Sequence, residues 1–362
     1  MSNLPPSGEI PRGAIRFNTD SNKPELWDGF QWVEFQLSTP NLGRGQDSSL
    51  GGRAVVISGW TGASNTTDCS YWNMASIGNA QDFGALSPAR RYQAGCSDAT
   101  RGLTWGGYSS TYESEIVKTT IASTGSHETF GQMRNAADDG NEGRIGGACW
   151  ASSTRAIHMA GTGPSGQLDA RILYATIQAD GNSNDFGDLI NSYNYRYGSA
   201  TGNKTRAIAL GGRQEPDPGA KVNTIQFVTI ATTGNAFEFG DASVPFDSSS
   251  GTSSNGTRAV IATNGVPSFT AKSLDQIRPA SGGNSYNFGE LSTGRQDGHA
   301  NSCMSTPTRG FFAGGLAPGG NSGYTLIDYV TFETEGTAVD FGDLTGTGRV
   351  GTSNFSNSHG GL

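Results

Sequence analysis

An all-β fold built from repeats is what this 362-residue sequence predicts, and three observations predict it. Glycine is abundant at 54 residues, only 15% of residues are charged and 34% are apolar, a composition that suits many short strands joined by tight turns. The pair Phe-Gly recurs at Phe83, Phe130, Phe186, Phe239, Phe288 and Phe341, each preceded at five residues by a glycine: Gly78, Gly125, Gly181, Gly234, Gly283 and Gly336. A second landmark, an arginine followed by a small and then a large apolar residue, keeps the same register at Arg53, Arg101, Arg155, Arg206, Arg258 and Arg309. Six repeats of roughly 50 residues, each reading as a four-stranded antiparallel sheet, predict a six-bladed β-propeller over residues 41–362.

Residues 1–40 do not follow the repeat. The stretch "GAIRFNTDSNKPELWDGFQWVEF" reads as a small three-stranded meander, Ala14 to Thr19, Pro24 to Trp27 and Gln31 to Phe35, turned at "DSNK" and "DGF". So small a sheet cannot bury its own aromatics, so Phe17, Trp27, Trp32 and Phe35 are expected to need a partner, whether the propeller, sister chains or another protein.

Within a repeat, the stretch after the arginine alternates. Val55 and Ile57, Leu103 and Trp105, Ile157 and Met159, and Ile208 and Leu210 fall on one face of a strand, which commonly ends in Gly-Gly. A variable polar loop follows, then a second strand, clearest in "IQFVTIATTG". Ile225 and Phe227 share one of its faces and Ile230 the other, so both faces should be covered by neighbouring sheets. The landmark glycine then supplies a positive φ at the hairpin, the Phe-Gly strand returns antiparallel, and a stretch such as "GHANSCMS" makes a fourth strand.

The end of the chain, "TAVDFGDLTGTGRVGTSNFSNSHGGL", starts a further repeat and stops. Its last part reads as the missing first strand of the blade that begins "GGRAVVISGW". Residues 349–357 are therefore expected to pair with residues 53–59, closing the propeller with N- and C-terminal strands in one blade.

The residues offer little chemistry. A net charge of −8 without long runs of one sign gives no footprint for nucleic acid, and no apolar segment reaches a membrane-spanning length. Cys69, Cys96, Cys149 and Cys303 are too far apart for a Cys-x-x-Cys site and read as small packing residues, although two disulfides are conceivable. Asp180 to Asp185, "DGNSND", resembles the start of a calcium loop but lacks its glycine and distal glutamate. The carboxylates of "DDGNEG" at 138–143 read as a solvated loop, and the four histidines show no ligand spacing. No catalytic, metal-binding or cofactor-binding residue is therefore expected.

The six landmark arginines recur beside acidic residues of the Phe-Gly strand (Asp188, Asp241, Glu290, Asp343), so a repeated structural hydrogen bond is expected of them. Recognition is expected in the variable loops after Gly-Gly, where Tyr108, Tyr112 and Tyr324 are candidates for stacking on sugar rings.

The recurring order of basic residue, apolar strand ending in Gly-Gly, second strand, turn and aromatic strand resembles kelch repeats, with phenylalanine in place of the usual tryptophan. The N-terminal text around "GAIRFNT", "ELWDG" and "WVEF" resembles a module of tail-fibre and other appendage proteins of tailed bacteriophages, and the chain as a whole looks like a structural protein of marine cyanophages and their relatives. The resemblance implies a non-enzymatic virion appendage protein, folded in the host cytoplasm. Its N-terminal module would join other virion proteins or trimerise, and its propeller would meet a host-surface glycan, a receptor or another virion protein. The rival reading is a glycan-degrading, depolymerase-like propeller enzyme.

Overall fold

Strands and turns make up all the regular structure, and no helix occurs among the described residues. The computed structural model describes residues 10–18, 23–34, 52–125, 127–134, 142–164, 169–190, 199–213, 220–246, 251–263, 272–295, 301–317 and 322–362. They fall into two units, Met1–Leu42 and Gly43–Leu362.

The first unit is the expected meander, with strands Ile15–Asn18, Lys23–Trp27 and Trp32–Glu34 in antiparallel order. Its second turn is fixed by Asp28, whose carboxylate accepts the N–H groups of Phe30 and Gln31 at 2.7 and 2.8 Å. Those two backbone donors hold the Asp28 carboxyl below its usual pKa. Alternation splits the expected attachment residues between two faces. Trp27 and Trp32 pack together, with ring centroids 5.5 Å apart, and the Arg16 guanidinium, bonded to Glu25 at 2.7 Å, lies 4.3 Å over Trp32. Phe17 lies on the other face with Ile15 and Val33, and the three are 58%, 67% and 43% exposed. Trp27 is buried within the chain, and Phe35 lies outside the described residues.

In the second unit the four-stranded antiparallel sheets straddle the sequence repeats. The stretch expected as a fourth strand pairs instead with the arginine strand that follows it. Ala94–Ser97 pairs with Arg101–Trp105, which leads to Glu115–Thr120 and then His127–Gln132. The same order holds for Ala148–Ala151 to Asn184–Asp188, for Ser199–Gly202 to Phe237–Phe246, and for Thr252–Ser254 to Tyr286–Glu290. The last repeat contributes Arg309–Ala313, Leu326–Thr331 and Val339–Asp343. Asn301–Cys303, which precedes it, pairs in parallel with Ser353–Ser356.

The unfinished repeat completes the first sheet. Ser353–Ser356 pairs antiparallel with Arg53–Trp60, in the register Ser353 to Ile57, Asn354 to Val56, Phe355 to Val55 and Ser356 to Ala54. This is the pairing expected of residues 349–357. The sheet continues through Asn65–Asn73 to Gln81–Ala85.

Sheets pack face to face, so the alternation expected of the arginine strands gives way to burial on both sides. Val55 and Ile57 enter a core with Phe83, Val117 and Ile121, whereas Ala54 and Val56 enter one with Phe311, Ile327 and Phe341. Strand Val222–Thr229 likewise sends Ile225 to one cluster and Val228 to another. Each apolar core thus lies between sheets of successive repeats, and the six phenylalanines of Phe-Gly sit in these seams, all at most 5% exposed. Burying each such ring contributes about 2–3 kcal/mol.

Glycine at the landmark positions has two separate reasons. All six landmark glycines have positive φ, as expected at the hairpins. The glycine of Phe-Gly then lies against the landmark glycine of the next repeat. A Cβ on Gly84 would meet Gly125 Cα at 2.9 Å, one on Gly187 would meet Gly234 C at 2.5 Å, and one on Gly342 would meet Gly78 O at 2.5 Å. The seams carry backbone hydrogen bonds from Gly125, Gly181, Gly234, Gly283 and Gly78 to the carbonyls of Phe83, Phe130, Phe186, Phe239 and Phe341. Asn79, Asn182, Asn235 and Asn284 add a side-chain acceptor for the N–H of Asp343, Gln132, Asp188 and Asp241. The outer strand of each sheet is thereby covered by its neighbour's hairpin.

The first strands of successive sheets also touch. Ser356–Cys303, Ser305–Ser254, Ser254–Gly202 and Ser97–Ser356 are joined by a hydroxyl of the first-named residue donating to the other's carbonyl, at 2.6 to 2.9 Å. Small polar side chains fit here because backbones approach closely, which explains the low apolar content of these strands. The tail crosses the C-terminal ends of the same strands. Ser358 Oγ donates to Ser305 O (2.8 Å), His359 Nε2 meets Ser97 O (2.7 Å) and Gly360 N donates to Ser254 O (2.8 Å).

Candidate functional site

Most chemistry-bearing groups are used by the fold. The landmark arginines do not pair with the acidic residues of the Phe-Gly strand. Arg53, Arg101, Arg155, Arg206 and Arg258 instead donate through Nη1 to carbonyls of the next repeat: those of Ala122, Ile177, Ile230, Ala280 and Phe332. Arg53, Arg155, Arg206 and Arg309 also stack over Tyr71, Tyr174, Phe227 and Tyr329 at 4.4 to 4.8 Å. The expected structural role thus has a different partner, because the guanidinium reaches across a seam rather than along its own sheet.

A second set, Arg90, Arg144, Arg295 and Arg349, precedes four of the first strands and is almost completely buried. Arg90 pairs with Glu115, Arg144 with Asp169 (2.7 Å) and Arg295 with Asp328 (2.6 Å), and Arg349 donates to Ser70 Oγ (2.6 Å). Burial lowers the pKa of Arg295 and raises that of Asp328, each opposed by the other's charge.

The four cysteines are free and buried. Burial pushes the Cys69 thiol up to about 11 and those of Cys149 and Cys303 well above the usual range, which leaves them poor nucleophiles. His158, stacked on Trp105, and His359, edge-on to Trp150, are also buried, which lowers their pKa values to about 3 and about 4. Asp180, the first residue of the calcium-like stretch, pairs with Arg101 (3.1 Å) and Lys118 of the preceding repeat. Of the 138–143 carboxylates, Asp138 and Asp139 lie outside the described residues, and Glu142 pairs with Arg171 at 2.5 Å. Among the described residues no group of three or more His, Cys, Asp or Glu is arranged to hold a metal ion.

What remains is an aromatic cluster at the loop ends of the first and second sheets. Tyr108 and Tyr112 are brought together as a half-buried edge-to-face pair with centroids 5.7 Å apart. Tyr108 also exchanges backbone hydrogen bonds with Arg91, at 2.8 and 3.0 Å. The Arg91 guanidinium then lies 5.1 Å from the Tyr108 ring, 5.2 Å from Tyr92 and 5.8 Å from Trp60. Asn65 Nδ2 pins the loop by donating to Tyr108 O (3.0 Å) and Ser109 O (3.1 Å). Trp60, Arg91, Tyr92, Tyr108 and Tyr112 are all half-buried.

Tyr324 is not part of this cluster. It stands in the last repeat, where its N–H bonds to Gly315 O at 2.7 Å. Trp60, Arg91 and Tyr92 escaped the sequence reading. Their one local signal is the doublet Arg90-Arg91, in which the strand start turns the first side chain inward to Glu115 and leaves the second among the rings. An open cleft of about 390 Å³ lies elsewhere, between the third and fourth sheets, lined by Ser153, Thr154, Arg155, Lys204, Thr205 and Ile230.

Compared with known proteins, the chain matches no family model and no curated protein.

Proposed function

We propose that residues 43–362 form a six-bladed, kelch-like β-propeller that acts as a non-enzymatic recognition scaffold, and that the Arg91 cluster is its carbohydrate-binding platform. The circular order of seams supports the architecture: the Phe-Gly glycine of each repeat abuts the next repeat's hairpin, and Gly342 of the last abuts Gly78 of the first. The observation that carries the function is three half-buried aromatic rings, Trp60, Tyr92 and Tyr108, gathered around one guanidinium, with Tyr112 packed edge-on against Tyr108. Flat aromatic faces bury the apolar face of a sugar ring while leaving its hydroxyls to neighbouring polar groups. In this reading the first unit attaches the protein to a virion appendage through the face that exposes Ile15, Phe17 and Val33.

The test is binding of the full chain to an array of bacterial surface glycans, with Trp60→Ala and Tyr108→Ala as variants. Retention of glycans by the parent and their loss in both variants, with unchanged thermal unfolding, is expected. An array on which no glycan is retained sinks the carbohydrate reading. Release of reducing ends from a retained glycan overturns the non-enzymatic part.

A further inference from the structure

Arg91 differs from the arginines around it. Arg90 pairs with Glu115, Arg144 with Asp169 and Arg295 with Asp328, but the Arg91 guanidinium has no hydrogen-bond or ion-pair partner among the described residues. Its Nε is buried and unpartnered. The carboxylate on the same loop, Glu113, accepts from Ser109 Oγ and makes no ion pair with Arg91. With Nε buried, the two Nη groups are the end of the guanidinium left to meet a ligand, and they present parallel N–H donors spaced to match a carboxylate or sulfate. In a chain of net charge −8, an uncompensated guanidinium in an aromatic setting is a local attractor for an anion.

We infer that the sugar bound at this cluster is acidic, carrying a uronate carboxylate or a sulfate ester that the Arg91 guanidinium receives while Trp60 and Tyr108 face the ring. The inference rests on the carbohydrate reading above. A neutral sugar offers the Arg91 donors only uncharged hydroxyl oxygens, without the paired, charged acceptors of a carboxylate or sulfate, which makes the charge the basis of selectivity.

The test is titration calorimetry of the full chain with three saccharides: trigalacturonic acid, its fully methyl-esterified and hence neutral form, and a sulfated carrageenan tetrasaccharide. At least one anionic saccharide is expected to bind about tenfold more tightly than the methyl ester, with affinity falling as salt rises. Preference between the uronate and the sulfate identifies the anion. Arg91→Gln should reduce the anionic saccharide to the affinity of the ester, and Arg91→Lys should recover only part, because an ammonium lacks the fork. Thermal unfolding of each variant separates loss of the site from loss of the fold. Equal binding of ester and acid, or an Arg91→Gln variant that binds the acid as the parent does, overturns the inference and leaves the carbohydrate reading standing. Failure of all three saccharides together with an empty glycan array removes both.

Discussion

The seam between the last and first repeats allows the close approach of two glycines to be measured separately from their backbone conformation. Gly342 and Gly78 face each other there with nearly the same φ, +150° and +153°. A Cβ on Gly342 would meet Gly78 O at 2.5 Å, Gly78 C at 2.7 Å and Asn79 N at 3.0 Å, whereas one on Gly78 meets nothing within 4 Å. Alanine at either position carries the cost of a conformation that L residues avoid, about 1–3 kcal/mol. At Gly342 overpacking against backbone adds about 1–3 kcal/mol. Relief of that clash also stretches the seam bonds from Gly78 N to Phe341 O (3.0 Å) and from Ala80 N to Asp343 O (2.8 Å), each contributing about 1 kcal/mol. Gly78→Ala should therefore destabilise by about 2 kcal/mol and Gly342→Ala by about 4 kcal/mol or more, read from urea unfolding followed by tryptophan fluorescence. Equal losses in the two variants would refute the close-approach account of the Phe-Gly repeat.

Truncation after Leu344 removes the strand Ser353–Ser356 from the first sheet and should lower the single unfolding transition of the whole second unit; a chain that loses only local signal contradicts the pairing. Deleting residues 358–362 alone removes the tail's bonds to Ser305, Ser97 and Ser254, with a smaller loss of about 3 kcal/mol by the same denaturation assay. His158, near Arg144 and Asp169, and His359, near Asp98, have folded pKa values of about 3 and about 4, below the ordinary 6.5, so the unfolded chain takes up the proton first. Stability should hold above pH 6.5, fall as pH drops below it and level off below the folded values. The loss from His359 alone is on the order of 3 kcal/mol, and His359→Gln should flatten that slope. Arg295→Met leaves Asp328 buried without its cation and should cost about 3–5 kcal/mol, and adding Asp328→Leu should recover much of it; no recovery in the double variant would show that the pair is not the source.

Repetition made much of this architecture legible in the sequence. Phe-Gly and Arg-small-apolar kept register because each seam imposes the same two demands, an aromatic to fill the core and a glycine where backbones meet. The abandoned repeat predicted its own partner, since a strand without the rest of its sheet has exposed backbone groups that only a matching edge satisfies. The arginines were legible as structural, but their acceptors were not. Sequence proximity pointed to carboxylates in the same repeat, and the extended side chain reaches a carbonyl of the next one.

The aromatic cluster around Arg91 depended on tertiary structure almost entirely. Tyr108 and Tyr112 were visible as loop aromatics, but Trp60 comes from the end of a strand in the first repeat and Arg91 and Tyr92 from the connection into the second. Nothing local distinguishes Arg91 from Arg90, which has a carboxylate partner while the Arg91 guanidinium meets only rings among the described residues. The meander shows the same division: alternation and turn chemistry gave its three strands, whereas register decided that Trp27 and Trp32 pack together and Phe17 stays exposed. The sequence by itself determined the strands, the repeats and the closing pair, because those rest on local conformation and on patterns repeated six times. The tertiary structure alone decided which side chains meet across seams and loops, because such contacts join residues that share no period and no neighbourhood in the chain.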